Sequence, residues 1–341
     1  MLQLKNSTPF EAAFFVFPDA DGVDTLFVAV KATFGLGSAG VVLAEKQRPV
    51  ALADEYLGEP AQSSLKYSNE AHIAKPASDI ALLGSAHAPG ERAVPRFDAR
   101  MRVGKLEKRL CVFGERVWRR GLLGLTATAP LPVARLPVVW ERAFGGRDEV
   151  ISGPTSVEAR NPVGWGFAGR RRLEEMEGQP LPNFELPDSP LDAWRGRPTP
   201  AGLGFVAPSW EPRSRHAGTY DAAWQEERAP YLPKDFDARF LNTVSADQVY
   251  DGFLQGGEPV ELVNLSPRGV ERFMLPVVHF RARVRMRGET QELRLALETL
   301  LLEPDDGRFC LTWRAAVPCD KMALKVETIE LAIERLDGVV S

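Results

Sequence analysis

The stretch RHAGTYDAAWQEERAPYLPKDFD, residues 215–237, concentrates side chains that could do chemistry. It holds a histidine, two tyrosines, a tryptophan and five carboxylates. Carboxylates perform acid–base catalysis, and aromatic rings form platforms for sugars. Aromatic side chains in irregular structure are also common anchors of protein interfaces. The stretch therefore raises two alternatives, an active site and a docking surface for another protein.

The enzyme hypothesis with the most content is a carbohydrate-active hydrolase that uses carboxylates of residues 215–237. Glycoside hydrolases hold two carboxylates about 5–9.5 Å apart beside the sugar. The candidates here are Asp221, Glu226, Asp235 and Asp237, which lie near Trp224 and Tyr231. However, acidic residues are common in surface loops, and Asp221 and Asp237 could cap turns through side-chain hydrogen bonds. We favour the capping interpretation.

Other catalytic and metal-binding motifs are absent from the sequence. The four histidines, none of which has a second histidine three or four residues away, are His72, His87, His216 and His279. Neither HExxH nor GxSxG occurs, and the glycines of residues 84–92 and 202–205 do not form a phosphate or dinucleotide loop. Cys310 lies inside a predicted strand, where an inert buried thiol is expected. We therefore predict no metal, no cofactor and no enzymatic activity.

Composition and charge restrict the compartment and the partners. The net charge of −4 and the isoelectric point near 5.8 give no reason to expect nucleic acid or an anionic membrane as a partner. No apolar run reaches the roughly 20 residues that cross a bilayer. The odd number of cysteines, without a CxxC motif, fits a reducing compartment; they are Cys111, Cys310 and Cys319. These features predict a cytoplasmic protein.

The strongest electrostatic pattern is a row of arginines in HFRARVRMRG, residues 279–288. In a strand, alternate side chains share a face, so one face carries Arg281, Arg283, Arg285 and Arg287. Such a row could bind an acidic protein surface or a phosphate backbone. Alternatively, the arginines pair with nearby carboxylates such as Glu292 and Glu298, and we favour this second interpretation.

The elements that must position these side chains are mainly strands. Residues 12–17 and 24–35 are rich in β-branched and aromatic residues, and residues 97–114 form a predicted hairpin that turns at Gly104-Lys105. Residues 279–318 predict a meander with one buried side. Residues 322–338 fit a helical face and a strand equally well, because their apolar side chains match both periods. The alternation predicts β-rich units at both ends of the chain.

Between these units, residues 153–233 hold 12 of the 27 prolines and four of the seven tryptophans. Proline on this scale interrupts helix and sheet, while a disordered linker would be poor in aromatic residues. We therefore predict a mainly β protein with two antiparallel β-rich units, residues 1–150 and 243–341. They are joined by an ordered, irregular segment rich in proline and aromatic residues, residues 151–242, that lies over the β units.

A series of long, distinctive stretches carries a family resemblance. In chain order they are NSTPFEAAFFVFPDADGVDTLFVAVKATF, DEYLGEPAQSSLKY, KPASDIALLGSAHAPG, LCVFGERVW, VVWERAFGG, NPVGWGF, RPTPAGLGFVAPSWEPRSRHAGTYDAAW, LPKDFDARFLN and LLLEPDDGRFCLTWRAAVP. Together they resemble the bacterial domain-of-unknown-function family twenty-one sixty-nine, over nearly the whole chain.

The resemblance implies a role in type VI secretion. Members of this family are commonly encoded beside the VgrG spike protein, PAAR-repeat tip proteins and toxic effectors. They look like adaptors or chaperones that load an effector onto the spike, and the resemblance carries over no catalytic residues. We therefore expect a non-catalytic adaptor whose partners are an effector toxin, a VgrG or PAAR-type spike protein, or both.

The segment rich in proline and aromatic residues, residues 151–242, is the expected binding surface of such an adaptor. Its candidate anchors are Trp165, Phe167, Trp210 and Trp224, because ordering so long an irregular stretch requires either core contacts or a partner. Any one of these side chains could instead hold the two β units together. If this segment is not the surface, the row formed by Arg281, Arg283 and Arg285 is the better candidate.

Overall fold

A computed structural model of the chain describes residues 2–122, 124–148, 156–319 and 323–340. Strands make up 44% of it and helices 10%, which confirms the mainly β class. The described strands are β1 (Gln3–Asn6), β2 (Glu11–Pro18), β3 (Asp24–Gly37), β4 (Gly40–Leu43), β5 (Glu55–Tyr56), β6 (Leu65–Tyr67), β7 (Asp79–Leu82), β8 (Ser85–His87), β9 (Arg96–Val103), β10 (Leu106–Phe113), β11 (Trp118–Gly121), β12 (Gly124–Ala127), β13 (Arg135–Pro137), β14 (Phe144–Gly145), β15 (Trp165–Gly166), β16 (Phe184–Glu185), β17 (Pro259–Val263), β18 (Val270–Met274), β19 (Val277–Met286), β20 (Glu289–Glu292), β21 (Ala296–Glu303), β22 (Arg308–Pro318) and β23 (Val326–Asp337). The described α-helices are α1 (Leu173–Met176) and α2 (Ala222–Glu227).

Short 3-10 turns complete the described elements, and they lie at Pro89–Glu91, Trp140–Arg142, Arg213–His216, Ala238–Leu241, Ala246–Gln248, Pro304–Asp306 and Ala323–Lys325. The long strands account for most of the regular structure because β-branched and aromatic residues fit a pleated, buried surface. Helices stay short because proline and glycine interrupt the segments between strands.

The central six-stranded sheet has the order β2-β3-β22-β21-β7, and β4 also pairs with β3. Strand β3 is almost wholly buried, as its near-continuous apolar sequence predicts. It pairs antiparallel with β22 in a register that joins Thr25 to Pro318 and Gly35 to Arg308. The sheet is therefore built on a contact between residues that lie almost the whole chain apart.

The five-stranded sheet has the order β16-β10-β9-β17-β18 and contains the predicted hairpin. Strands β9 and β10 pair with Val103 opposite Leu106, so the turn falls at Gly104-Lys105, as expected. Gly104 adopts a φ of 54°, which glycine tolerates without a Cβ clash. The alternate side chains of β9 that the sequence assigned to one face are all buried: Phe97, Ala99, Met101 and Val103.

The four-stranded sheet has the order β1-β23-β19-β20 and settles the ambiguous C-terminal segment. Residues 326–337 form a strand, because β19 pairs with them on one side and β1 on the other. Within them Ile329 and Leu331 are buried, whereas Ile333 is only partly buried. The alternation of a strand thus prevails over the helical pattern, and residues 320–322 lie outside the described residues.

The predicted division into two β-rich units is not confirmed. Each of the three large sheets combines strands from the first 150 residues with strands from residues 243–341. For example, β9 pairs with β17, and β21 pairs with β7. One large hydrophobic cluster also runs through the sheets and includes Phe34, Met101, Leu262 and Phe309. Pairing between distant strands, which local periodicity does not encode, merges the two predicted units.

Irregular segments cover one face of the six-stranded sheet. Leu65, Phe205 and Val244, from two such segments, pack against Leu301 and Cys310 of the sheet. Within the predicted irregular segment, residues 151–242, Phe205 thus lies against the sheet, and Leu65 and Val244 from outside it lie beside Phe205. Apolar contact with the sheet compensates for the entropy of ordering these proline-rich stretches.

A buried ionic network fixes the end of the irregular segment to the sheet. Lys75 donates from Nζ to Asp79 Oδ2 (2.6 Å) and to Thr299 Oγ1 (3.0 Å). Asp79 also accepts hydrogen bonds from Asn242 Nδ2 (2.7 Å) and from the backbone N–H of Thr243 (2.7 Å). A buried charge requires such partners, so this network holds the chain at residues 242–243 in one position.

Candidate partner-binding surface

Trp210, one of the predicted anchors, lies in the core. Only 2% of it is exposed, and its ring packs edge-to-face against Trp140 with centroids 5.9 Å apart. Trp140 in turn donates from Nε1 to the carbonyl of Phe205 at 2.8 Å. A side chain enclosed in this way cannot anchor a partner. Trp210 therefore has the alternative role, in which its ring holds the structure together.

Trp165 and Phe167 lie where two glycine-containing segments of the chain pack closely against each other. Strands β14 and β15 pair in parallel with Phe144 opposite Trp165. A Cβ at Gly145 would lie 2.1 Å from the carbonyl oxygen of Asn161, so the two segments approach too closely for any other residue. Phe167 is buried beside Phe144, whereas Trp165 is only partly buried. Of the two predicted anchors, only Trp165 reaches the surface.

Trp165 lines a cavity of about 490 Å³ together with Arg147 and Arg171. The guanidinium groups of these arginines donate to backbone carbonyls: Arg171 donates to Phe167 at 3.0 Å and to Arg147 at 3.0 Å, and Arg147 donates to Ala61. Their hydrogen-bonding capacity therefore serves the local fold. Residues 149–155, which include the start of the predicted irregular segment, lie outside the described residues.

The three aspartates of residues 215–237 accept hydrogen bonds that cap or close turns, whereas Glu227 forms an exposed ion pair with Lys234 and no capping bond is seen for Glu226 among the described residues. Asp221 Oδ1 accepts a hydrogen bond from the N–H of Trp224 at 2.8 Å and caps α2. Asp235 accepts from the N–H and the hydroxyl of Thr219, at 3.0 and 2.7 Å. Asp237 Oδ1 accepts from the N–H of Arg239 at 2.9 Å. The capping interpretation of Asp221 and Asp237 is confirmed.

The pKa values of these carboxylates follow from the same contacts. Hydrogen bonds from the Arg239 side chain and backbone lower the pKa of Asp237 to about 2, and His216 lies 3.3 Å away. The backbone and hydroxyl of Thr219 lower the pKa of Asp235. A general acid in glycoside hydrolysis needs a raised pKa. The structure gives these two carboxylates the opposite shift.

The aromatic residues of the same stretch reach the surface. Tyr220 is 53% exposed and Tyr231 is 40% exposed, while Trp224 is partly buried. Tyr220 and Trp224 form an edge-to-face pair with centroids 4.7 Å apart, and Trp224 Nε1 donates to the Tyr231 carbonyl at 2.8 Å. These contacts hold the rings in fixed positions at the surface, as interface anchors require. Trp224 is thus the predicted anchor whose surroundings best fit that role.

An apolar groove of about 290 Å³, here called the Tyr231 groove, lies beside these rings. Its lining includes Phe17, Ile73, Tyr231, Leu232, Phe236 and Phe240. It is built from three parts of the chain: the end of β2, residues 71–73 and residues 230–241. Sequence reasoning singled out Tyr231 as an aromatic candidate but did not place it beside the other walls, because they come from distant segments that no local pattern connects.

His72 contributes a titratable group to the Tyr231 groove. Its Nδ1 lies in hydrogen-bonding contact with the carbonyl of Ile73, which requires the proton to sit on Nδ1. Burial lowers the pKa of His72 well below its usual value, and the positive charges of Arg314 and Lys75 lower it further. The imidazole is therefore neutral at physiological pH, and the groove stays apolar.

The arginine row lies on β19, as predicted. Arg283 donates to Glu292 at 2.6 Å, and Arg285 pairs with Glu327 at 3.0 Å. Pairing of Arg283 with Glu292 is confirmed, whereas Glu298 is wrong as a partner because it is buried against Arg314 at 2.7 Å. For Arg281, no hydrogen bond or ion pair with a described residue is seen. Two arginines of the row, Arg283 and Arg285, are therefore held in exposed ion pairs.

The remaining reactive side chains form no cluster. Among the described residues, no group of three or more histidine, cysteine or acidic residues has the geometry of a metal site. The three cysteines are free and buried, and burial raises the pKa of Cys310. Within the described ranges, no helix has the length and apolarity needed to cross a membrane.

Residues 21–314 match the bacterial family DUF2169, described as an uncharacterized protein conserved in bacteria. This match covers most of the chain, so the protein belongs to that family. Neither the curated proteins nor the solved structures contain a match to this chain.

Proposed function

We propose that the protein is a non-catalytic adaptor that binds other proteins through the Tyr231 groove and the neighbouring rings of Tyr220 and Trp224. The observation that carries this proposal is an apolar groove bordered by exposed aromatic side chains that the fold holds in place. Exposed apolar surface of this kind, next to fixed aromatic rings, is typical of protein interfaces. The aspartates nearby serve as caps, which supports binding in preference to hydrolysis of glycans.

We further propose that the partners belong to the type VI secretion system. In this proposal the adaptor binds an effector toxin in the cytoplasm and helps to load it onto a VgrG or PAAR-type spike protein. The support is the resemblance of the long motifs between residues 6 and 318 to a family whose members are commonly encoded beside such genes. Two separate surfaces suit this role: the Tyr231 groove for one partner, and Trp165 with its cavity for another.

The test is co-purification of the protein with the products of its neighbouring genes. Tyr231→Ala and Trp224→Ala should each weaken binding by about 2–4 kcal/mol, as loss of an interface anchor does. Both side chains are partly exposed, so the melting temperature should change little. The matched control is Met274→Ala, because Met274 is 51% exposed but lies on β18.

Binding should survive Met274→Ala. If Tyr231→Ala and Trp224→Ala both keep full affinity for every partner captured by the unmodified protein, the groove is not the docking surface. Glycan hydrolysis that disappears in Asp221→Asn while the fold is retained would contradict the non-catalytic role. The capping bond of Asp221 makes a melting curve of that variant a necessary companion measurement.

A further inference from the structure

The two edges of the six-stranded sheet differ in their exposure to a new strand. At β7 the backbone is covered: Leu82 N–H donates to the carbonyl of Leu203 at 2.8 Å, and Gln248 Nε2 donates to the carbonyl of Ile80 at 2.8 Å. At β2, on the opposite edge, strand pairing is seen with β3 alone among the described residues. A sheet edge left open in this way is a template for strand addition.

The hydrogen-bond register shows which backbone groups of β2 face outward. The N–H of Asp19 donates to the carbonyl of Val23 at 2.9 Å, so this pair is hydrogen-bonded. Hydrogen-bonded pairs recur at every second residue of an antiparallel ladder. In β2 they therefore include Phe17–Thr25, Phe15–Phe27 and Ala13–Ala29.

The alternate residues of β2 then point their N–H and C=O groups away from β3; they are Ala12, Phe14 and Val16. The pairing on the other side of β3 is consistent with this register. There the N–H of Cys319 donates to the backbone carbonyl of Asp24 at 2.7 Å, so this carbonyl points away from β2. No hydrogen bond joins the backbone of these three residues to any described residue.

The composition of β2 lacks the usual protection of an edge strand. Open edges normally carry lysine, an internal proline or a bulge that prevents association. From Ala12 to Phe17, β2 has no charge and no proline, and its pairing with β3 shows no register shift. By contrast, β20, an edge of the four-stranded sheet, is exposed throughout and begins and ends with Glu289 and Glu292. Strand β2 is thus suited to pairing.

We propose that β2 pairs antiparallel with β2 of a second copy of this chain, about a two-fold axis at Phe14, to form a homodimer. The sequence of β2 is complementary to itself in this register. Val16 lies opposite Ala12 of the second copy, and Phe15 lies opposite Ala13, so a large side chain meets a small one at these two pairs, while Phe14 meets its own copy at the axis. Glu11 lies opposite Phe17, which avoids repulsion between like charges.

This register also satisfies the outward backbone groups of Ala12, Phe14 and Val16. Ala12, Phe14 and Val16 of one copy meet Val16, Phe14 and Ala12 of the other, and each pair exchanges two hydrogen bonds. An axis at Val16 would place Phe14 opposite Pro18, which has no N–H to donate. An axis at Ala13 would place Val16 opposite Phe10, whose N–H already bonds to Thr8 Oγ1 at 3.1 Å, and an axis at Phe15 would place Ala12 opposite Pro18. The axis at Phe14 is favoured for these reasons. The proposal does not rest on the adaptor role, although Phe17 at the end of β2 also lines the Tyr231 groove.

Sedimentation of the full-length protein tests the proposal directly. Between about 1 and 100 µM, the mass should rise toward twice the 37.6 kDa of the chain, because association follows protein concentration. Val16→Pro removes one outward donor from each copy and leaves the bonds to β3 in place. It should weaken the dimer at least about tenfold. Val16→Thr keeps the N–H and the β-branched shape, and should dimerise like the unmodified protein.

Amide hydrogen exchange provides a measurement that needs no variant. The N–H groups of Ala12, Phe14 and Val16 should exchange slowly at high protein concentration and quickly on dilution. Those of Ala13 and Phe15 should be slow at both concentrations because they bond to β3. A monomer at the highest concentration, or a dimer that Val16→Pro leaves intact, contradicts the proposal. So does fast exchange of the outward amides at every concentration, which would leave the edge free for a strand of another protein.

Discussion

Trp210 and Trp224 lie in the same proline-rich segment, yet one is enclosed in the core and the other lies at the surface. Trp210 packs edge-to-face on Trp140, and only 2% of it is exposed. Trp224 packs on Tyr220 and bonds to the carbonyl of Tyr231, both within its own stretch of chain. The difference lies in the partner: a contact with a distant segment buries the first ring, whereas local contacts hold the second ring at the surface.

This comparison separates residues that hold the irregular segment on the sheet from residues that the segment presents to solvent. The first group should control stability, and the second should control binding. Four measurements of stability, described in order of decreasing effect, test which residues belong to each group.

The largest effect is expected at the ionic network where the segment rejoins the sheet. Asp79→Ala leaves Lys75 buried without its carboxylate and removes the acceptor of Asn242 and Thr243. The free energy of unfolding should fall by about 3–5 kcal/mol, measured by denaturant titration. Asp251→Ala is the matched control, because Asp251 pairs with Lys105 at 2.7 Å but is solvent-exposed. An equal loss in both variants would contradict the assignment.

Trp210→Ala tests the core side of the comparison. Removing a buried tryptophan ring leaves a cavity against Trp140 and should reduce the free energy of unfolding by about 3–5 kcal/mol. Trp210→Phe keeps an aromatic ring in the same place and should cost less. A melting temperature unchanged by Trp210→Ala would return Trp210 to the list of candidate surface anchors.

His72 lines the Tyr231 groove, and its titration should affect how the free energy of unfolding depends on pH. The folded protein holds the pKa of His72 well below the unfolded value near 6.5, since burial and the charges of Arg314 and Lys75 oppose protonation. As the pH falls below about 6.5, His72 becomes protonated in the unfolded chain but stays neutral in the folded protein. The free energy of unfolding should therefore decrease. Above that pH, both states are neutral and His72 makes no difference to the slope.

The measurement is the free energy of unfolding between about pH 7.5 and pH 5 for the protein and for His72→Gln. The variant should show a flatter dependence. Burial raises the pKa of the neighbouring Glu298, which acts with the opposite sign, so the comparison with the variant is needed to isolate the histidine. Parallel curves for the two proteins would show that His72 titrates normally in the folded state.

The smallest effect on stability is expected for Trp224→Ala. The ring loses its contact with Tyr220, and such aromatic pairs contribute about 1 kcal/mol. A melting curve that shifts as much as that of Trp210→Ala would show that Trp224 belongs to the core group. A small shift together with lost partner binding would sharpen the distinction between the two tryptophans.

Local features of the fold were predictable from the sequence because they depend on short-range periodicity. The hairpin of β9 and β10, the alternation in β19 and the capping roles of Asp221 and Asp237 all involve residues close together in the chain. The candidate surface was predictable in part, since Trp224 and Tyr231 stand out by composition. The Tyr231 groove was not, because Phe17 and Ile73 reach it from distant segments.

Residue patterns alone indicate that the chain forms strands, where β9 and β10 turn, and which faces of β9 and β19 are apolar. Tertiary contacts account for the pairing of β3 with β22 and for the strand that residues 326–337 form between β1 and β19. They also bury Trp210 and leave Trp224 only partly buried. The physical reason is that side-chain period and turn chemistry are local properties. Strand pairing and burial depend instead on which distant segments meet, and the free energy of those contacts is shared across the whole molecule.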